Sequence, residues 1–327
     1  SWLVSLDAIV EPWFGRTGES TRTLAVDFNT GFDRVFREED RTGEDYYGRS
    51  DKEQDESFIA LTDRQLLKVL HDGPMLVLEQ QGLDESGASV VVHYYLSPYR
   101  PNEAFEPFEL ESLDHFGFYE TYPRRVSGRI VLYAMKFGSH KPIVFALSSA
   151  IPASYREAVR DGVRYWNKAL GTPLLHVIDA PTGVKAPNPD YNVIEWVHRA
   201  TRGWSYGASV IDPRTGEILK GHVSLGSLRA QQDYLIGEGL LSPYTTGTEK
   251  PQVLTDMVLA RLRQLSAHEV GHTLGLGHNY YDSSTGRISV MDYPHPLVTL
   301  RNDGTMDFTD VYTKSIGEWD KVAIRYG

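Results

Sequence analysis

The stretch His268-Glu269-Val270-Gly271-His272-Thr273-Leu274-Gly275-Leu276-Gly277-His278 limits what this chain can fold into more than any other part of it. His268 and His272 stand four residues apart, and a helix sends both imidazoles out of one face, one turn apart. Pro251, favoured at a helix start, opens that helix, which runs to about Leu274. At this spacing two neutral ring nitrogens reach one Zn²⁺ at roughly 2.0–2.1 Å. Glu269 adjoins the first ligand and is too poorly placed to join it on the metal. It can instead reach a zinc-bound water and act as general base. Gly275 lets the chain leave the helix sharply, in a backbone conformation costly for other residues, and the turn returns His278 as third ligand. Three protein ligands leave a fourth position open, which marks a catalytic zinc site rather than a structural one. The five fixed positions would match by chance with probability below roughly one in ten thousand, so ordinary core or surface histidines are the weaker reading.

Beyond His278 comes Ser289-Val290-Met291-Asp292-Tyr293-Pro294, which resembles the Met-turn of the metzincin metallopeptidases. The resemblance implies that Met291 forms a hydrophobic floor beneath the zinc ligands without binding the metal. A tyrosine two residues after that methionine ligates zinc in the astacin-like and serralysin-like branches and swings away to stabilise the transition state. The resemblance implies this role for Tyr293; a buried tyrosine lining the specificity pocket is the alternative. Residues 151–159 and 166–170 resemble the first helix of a metzincin catalytic domain. Residues 212–219 and 225–229, Ser266-Ala267 and His278-Asn279 are similar to bacterial matrixin-like zinc proteases. Residues 316–327 resemble the last helix of that domain. In those bacterial proteins a β-rich region precedes the protease, and Asp114-His115-Phe116-Gly117-Phe118-Tyr119 resembles a fragment of it. Asn279 departs from the pattern of the matrixins proper, astacins and serralysins, so the chain is assigned to none of them.

Composition bounds the rest. The chain has 327 residues, enough to bury two cores. With 41% hydrophobic and 24% charged residues it reads as globular. It contains no apolar run near 18 residues, so nothing in it spans a membrane as a helix. Net charge is −11, with acidic density at Glu38-Glu39-Asp40 and over residues 51–56. Phosphate binding needs a basic surface, which argues against nucleic acid as a partner. Structural Ca²⁺ is compatible with the acidity, but no calcium-loop spacing supports it. There are no cysteines, hence no disulfides and no thiolate–zinc latch of the kind that keeps some metzincin zymogens inactive. Both ends read as cut, so further domains are expected outside this chain. Export to the periplasm or beyond is implied by the resemblance alone; no signal peptide is seen.

The expected fold class is α+β: a β-rich N-terminal domain over residues 1–140, then a metzincin-like domain over residues 141–327. In the first, residues 15–55 read as loop and residues 61–70 as a short amphipathic helix capped by Thr62-Asp63. Residues 75–80, 90–96 and 129–136 read as strands. His71, His93 and His115 read as packing histidines. In the second, strands are expected over 142–147, 174–178, 192–197, 207–211 and 217–225, and helices over 155–170 and 227–240, the latter from a Ser227 cap to Gly239. Together these give a twisted mixed sheet backed by helices, with the zinc in a cleft below an edge strand; residues 207–210 are read as that edge, with an interior strand as the alternative. The reading is a zinc-dependent endopeptidase acting on a protein or peptide, whose specificity pocket is walled by residues 293–300. Its alternatives are a zinc-bearing latent or inactive scaffold that works by binding, and a zinc hydrolase of non-peptide amides. Residues 1–140 could serve as a pro-segment in the latent case.

Overall fold

The computed structural model describes residues 15–20, 23–27, 34–36, 58–73, 75–99, 101–110, 117–138, 141–184, 188–198, 205–242, 251–280 and 283–327, with side chains from residue 60 onward. The chain divides into two compact units, one formed by residues 1–103 and one by residues 104–200 and 204–327.

The first unit is built from antiparallel pairs. Strand β1 (Gly15–Ser20) pairs with β2 (Thr23–Asp27), and β3 (Arg34–Phe36) with β4 (Phe58–Ala60). The loop expected over residues 15–55 is therefore corrected at three strands. Short ladders close on backbone hydrogen bonds and place little demand on apolar periodicity. The acidic runs and His115 lie outside the described residues. Strands β5 (Thr62–Asp72), β6 (Met75–Leu83) and β7 (Ser89–Leu96) form a meander. β5 replaces the helix expected over residues 61–70. A ten-residue helix is marginal by itself, whereas the neighbouring β6 offers a full ladder of hydrogen bonds. His71 is exposed, and His93 is half-exposed beside Glu79 at 3.5 Å, so neither packs a core.

In the second unit β8 (Arg124–Val126) and β9 (Arg129–Val131) form a hairpin. Past β9 the strand expected to residue 136 continues only as single bridges, Glu109 with Tyr133, Glu120 with Ala134 and Lys136 with Glu217. The main sheet has five strands: β10 (Ile143–Leu147), β11 (Leu175–Asp179), β12 (Asn192–Val197), β13 (Tyr206–Ile211) and β14 (Ile218–Gly226). Their order is β11-β10-β12-β14-β13, parallel except for β13, which runs antiparallel to β14 at the edge. Phe145, Ala146 and Leu147 are consecutive and all buried, so both faces of β10 are covered. A small hairpin, β15 (Thr299–Leu300) with β16 (Met306–Asp307), lies near the C-terminus.

Helix α1 (Ala153–Leu170) buries Ala158, Val159, Val163, Trp166 and Ala169 along one stripe. Helix α2 (Leu228–Leu241) runs through Gly239 rather than stopping there. Ser227 makes no side-chain cap, its backbone being already helical at φ −61°, ψ −31°; its N–H donates to Val197 O at 2.9 Å. Helix α3 (Gln252–Thr273) is buried on all sides over its last three turns. Its polar residues there are each bonded: Ser266 Oγ donates to Val159 O at 2.9 Å, Thr273 Oγ1 to Val270 O at 2.7 Å and Gln264 Nε2 to Val290 O at 3.3 Å. Trp166 Nε1 donates to Ala267 O at 2.8 Å, locking α1 to α3. Helix α4 (Glu318–Tyr326) closes the chain. The sequence changes pattern near residue 140, but the packing of this unit begins at Ala104. Leu110, Phe118, Leu132 and Ala134 are buried in the same core as α1 and α3. No helix among the described residues is long and apolar enough to cross a membrane.

Candidate functional site

The end of α3 and the loop after it carry the three histidines. His268 and His272 leave one face of the helix, and their Nε2 atoms lie 3.1 Å apart; His278 Nε2 lies 3.1 Å from that of His272. Among the described residues these three form the group able to hold a metal, with ligand atoms all within 4.8 Å. Tetrahedral nitrogens at roughly 2.0–2.1 Å from one ion stand about 3.3 Å apart, so the observed spacing fits zinc. Protonation fits too. His268 Nδ1 lies 2.7 Å from Val290 O and His272 Nδ1 lies 2.8 Å from Leu276 O. A carbonyl only accepts, so each Nδ1 carries the proton and each Nε2 offers its lone pair. Burial favours the neutral form of all three rings: His272 is lowered to about 4, His268 well below its ordinary value, and His278 also downward, opposed by Asp292.

The turn that brings His278 back depends on Gly275, at φ +98°. A Cβ there would run into Met135 O. Past it, Leu276 N–H donates to Gly271 O at 3.0 Å and Asn279 N–H to Met291 O at 3.1 Å. Asn279, the departure from the named families, is buried, and its backbone ties the third-ligand segment to the Met-turn segment.

Met291 is fully buried below the zinc-binding turn of α3. Gly271 is the reason it fits: a Cβ at residue 271 would meet Met291 Sδ and the Trp166 ring. Gly271→Ala should therefore cost about 1–3 kcal/mol by overpacking, read as a lower midpoint in urea at unchanged slope. A wild-type midpoint would mean that the methionine can move aside.

Behind Met291 sits Asp320, fully buried. Its carboxylate accepts from Ser289 Oγ at 2.6 Å, Val290 N at 2.8 Å and Gly317 N at 2.8 Å, while Met291 N–H donates to Ser289 Oγ at 2.9 Å. Sequence reasoning missed Asp320; an acidic residue in the first turn of the last helix was its one local signal.

Glu269 is buried beside the histidines, and its carboxylate accepts the backbone N–H of Gly207 on the edge strand. Burial pushes its carboxyl up to about 8, opposed first by Arg261. A dication at the histidines would pull it down again. Tyr293, expected either at the metal or in a buried pocket, is 56% exposed, with its hydroxyl 2.8 Å from His278 Nε2. Tyr280 stacks on His278 at 5.1 Å between centroids and was not foreseen. His268, Glu269, His272, Gly275, His278, Met291 and Tyr293 thus converge on one place.

Residues 250–327 match the family described as Met-zincin, and the three-histidine cluster fits a metzincin-type site. No curated protein and no solved structure matches the chain.

Proposed function

We propose that the unit from Ala104 onward is a zinc-dependent endopeptidase, a reading carried by the convergence of three neutral Nε2 atoms beside the buried carboxylate of Glu269. His268, His272 and His278 would hold the ion. When bound, zinc lowers the pKa of water towards about 7 and polarises a carbonyl oxygen. Glu269 takes one proton from the attacking water as its oxygen adds to the scissile carbonyl carbon. It passes that proton to the nitrogen as the C–N bond breaks. The Tyr293 hydroxyl donates to the carbonyl oxygen as it becomes anionic; its 2.8 Å distance from His278 Nε2 supports this. An extended peptide adds antiparallel to the edge strand β13 by main-chain hydrogen bonds, which its edge position in the sheet supports. Residues 293–300 then wall the pocket for one side chain.

The test is cleavage of a diverse peptide library by the whole chain, with and without a zinc chelator. Chelator-sensitive cleavage is expected. A zinc-loaded protein that cleaves nothing would favour a latent or binding role, and one that cleaves only non-peptide amides would favour the third reading.

A further inference from the structure

The turn that delivers the third histidine is held from a distant part of the chain. Residues 117–119 lie antiparallel to residues 275–277, the turn that delivers the third histidine. Tyr119 N–H donates to Gly275 O at 2.7 Å, and Gly277 N–H donates to Gly117 O at 2.5 Å. Met135 N–H in turn donates to Tyr119 O at 2.8 Å, fixing this strap from its other side. The Tyr119 ring lies over that of His272, with centroids 5.8 Å apart and planes 29° apart. Its hydroxyl stands 3.2 Å from His272 Nδ1. That proton therefore has two acceptors, Leu276 O at 2.8 Å and the Tyr119 hydroxyl oxygen.

We propose that Tyr119 is a positioning residue of the metal centre, whose hydroxyl and ring fix His272 so that its Nε2 faces those of His268 and His278. A second acceptor on Nδ1–H narrows the rotation of the ring about its Cβ–Cγ bond and makes Nε2 a better donor to a metal. Neither effect needs the hydroxyl to touch substrate or ion. The segment bearing Tyr119 lies far outside residues 250–327, so the Met-zincin match alone does not contain the whole support of the site.

The inference rests on the metal-binding part of the reading above and not on peptide cleavage. The test is zinc affinity by competition with a chromophoric chelator, using the whole chain, for wild type, Tyr119→Phe and Tyr122→Phe. Tyr122 is 88% exposed and serves as the control. Tyr119→Phe is expected to weaken zinc binding about tenfold, within the range for partners of metal-ligating histidines. The metal-free melting temperature should stay within a degree of wild type, since the ring is retained. The visible spectrum of the cobalt-substituted protein should shift in Tyr119→Phe and not in Tyr122→Phe.

Unchanged zinc affinity and an unchanged cobalt spectrum in Tyr119→Phe would overturn the proposal, whatever happens to turnover. A lower metal-free melting temperature with an unaltered cobalt spectrum would overturn it in favour of a merely structural role. If wild type itself binds no zinc, the reading of the site fails and the proposal with it. If wild type binds zinc but cleaves nothing, only the peptidase reading fails.

Discussion

Glu269→Gln should keep the metal and lose about 10²–10⁴-fold in peptide turnover, the range over which a positioned general base contributes. Metal retention follows from what orients the ligands. His268 and His272 are held through Nδ1 by Val290 O and Leu276 O, neither of which involves Glu269. The amide oxygen of glutamine can still accept from Gly207 N–H, so the link between α3 and the edge strand survives. What disappears is a group able to take the proton of the attacking water. Turnover at saturating peptide and zinc content per chain are the two measurements. Loss of zinc in step with loss of turnover would remove the general-base role and leave Glu269 as a structural support of the site.

Asp320→Ala should strongly destabilise the second unit. It would strip the acceptor from Ser289 Oγ, Val290 N–H and Gly317 N–H, all buried. Orphaned donors of this kind cost about 1–3 kcal/mol each, and loss of one member of a buried polar cluster about 3–5 kcal/mol together. For a unit of this size that corresponds to a fall of about 10 °C in melting temperature. Val290 O also accepts from His268 Nδ1, so loosening this segment should weaken zinc binding as well. Burial holds the Asp320 carboxyl above its ordinary range, against the donors that surround it. A group raised in the folded state contributes fully below the ordinary carboxylate pKa and loses that contribution as pH rises through the raised value. The deficit of the variant should therefore be larger at acid than at neutral pH. A change of under about 1 °C would mean that water replaces the carboxylate without cost.

The ligand set was legible because its information is local. A four-residue spacing on a helix and a glycine at its end suffice to aim His268, His272 and His278 at one point. The main sheet and the longer helices of the second unit were legible for a related reason. Runs such as residues 143–147 and the stripe on α1 are written in apolar pattern, because the core selects for it. Pattern failed where pairing or capping decided. Residues 62–72 carry a cap signal and scattered leucines, yet the available edge of β6 made them a strand. Ser227 has the composition of a cap, but its backbone already has helical angles (φ −61°, ψ −31°), where a cap needs extended ones.

By itself the sequence pointed to the three-histidine cluster, the helix that presents it and the sheet behind it. Tertiary structure alone decided what holds those ligands in place. Asp320 lies in the last helix, and Tyr119 precedes the sheet, both far along the chain from the histidines they support. The physical reason is that these contacts are a few hydrogen bonds and one ring contact across long loops of chain. They leave no periodicity, spacing or composition that a linear reading can detect. They exist only once the core has brought their ends together.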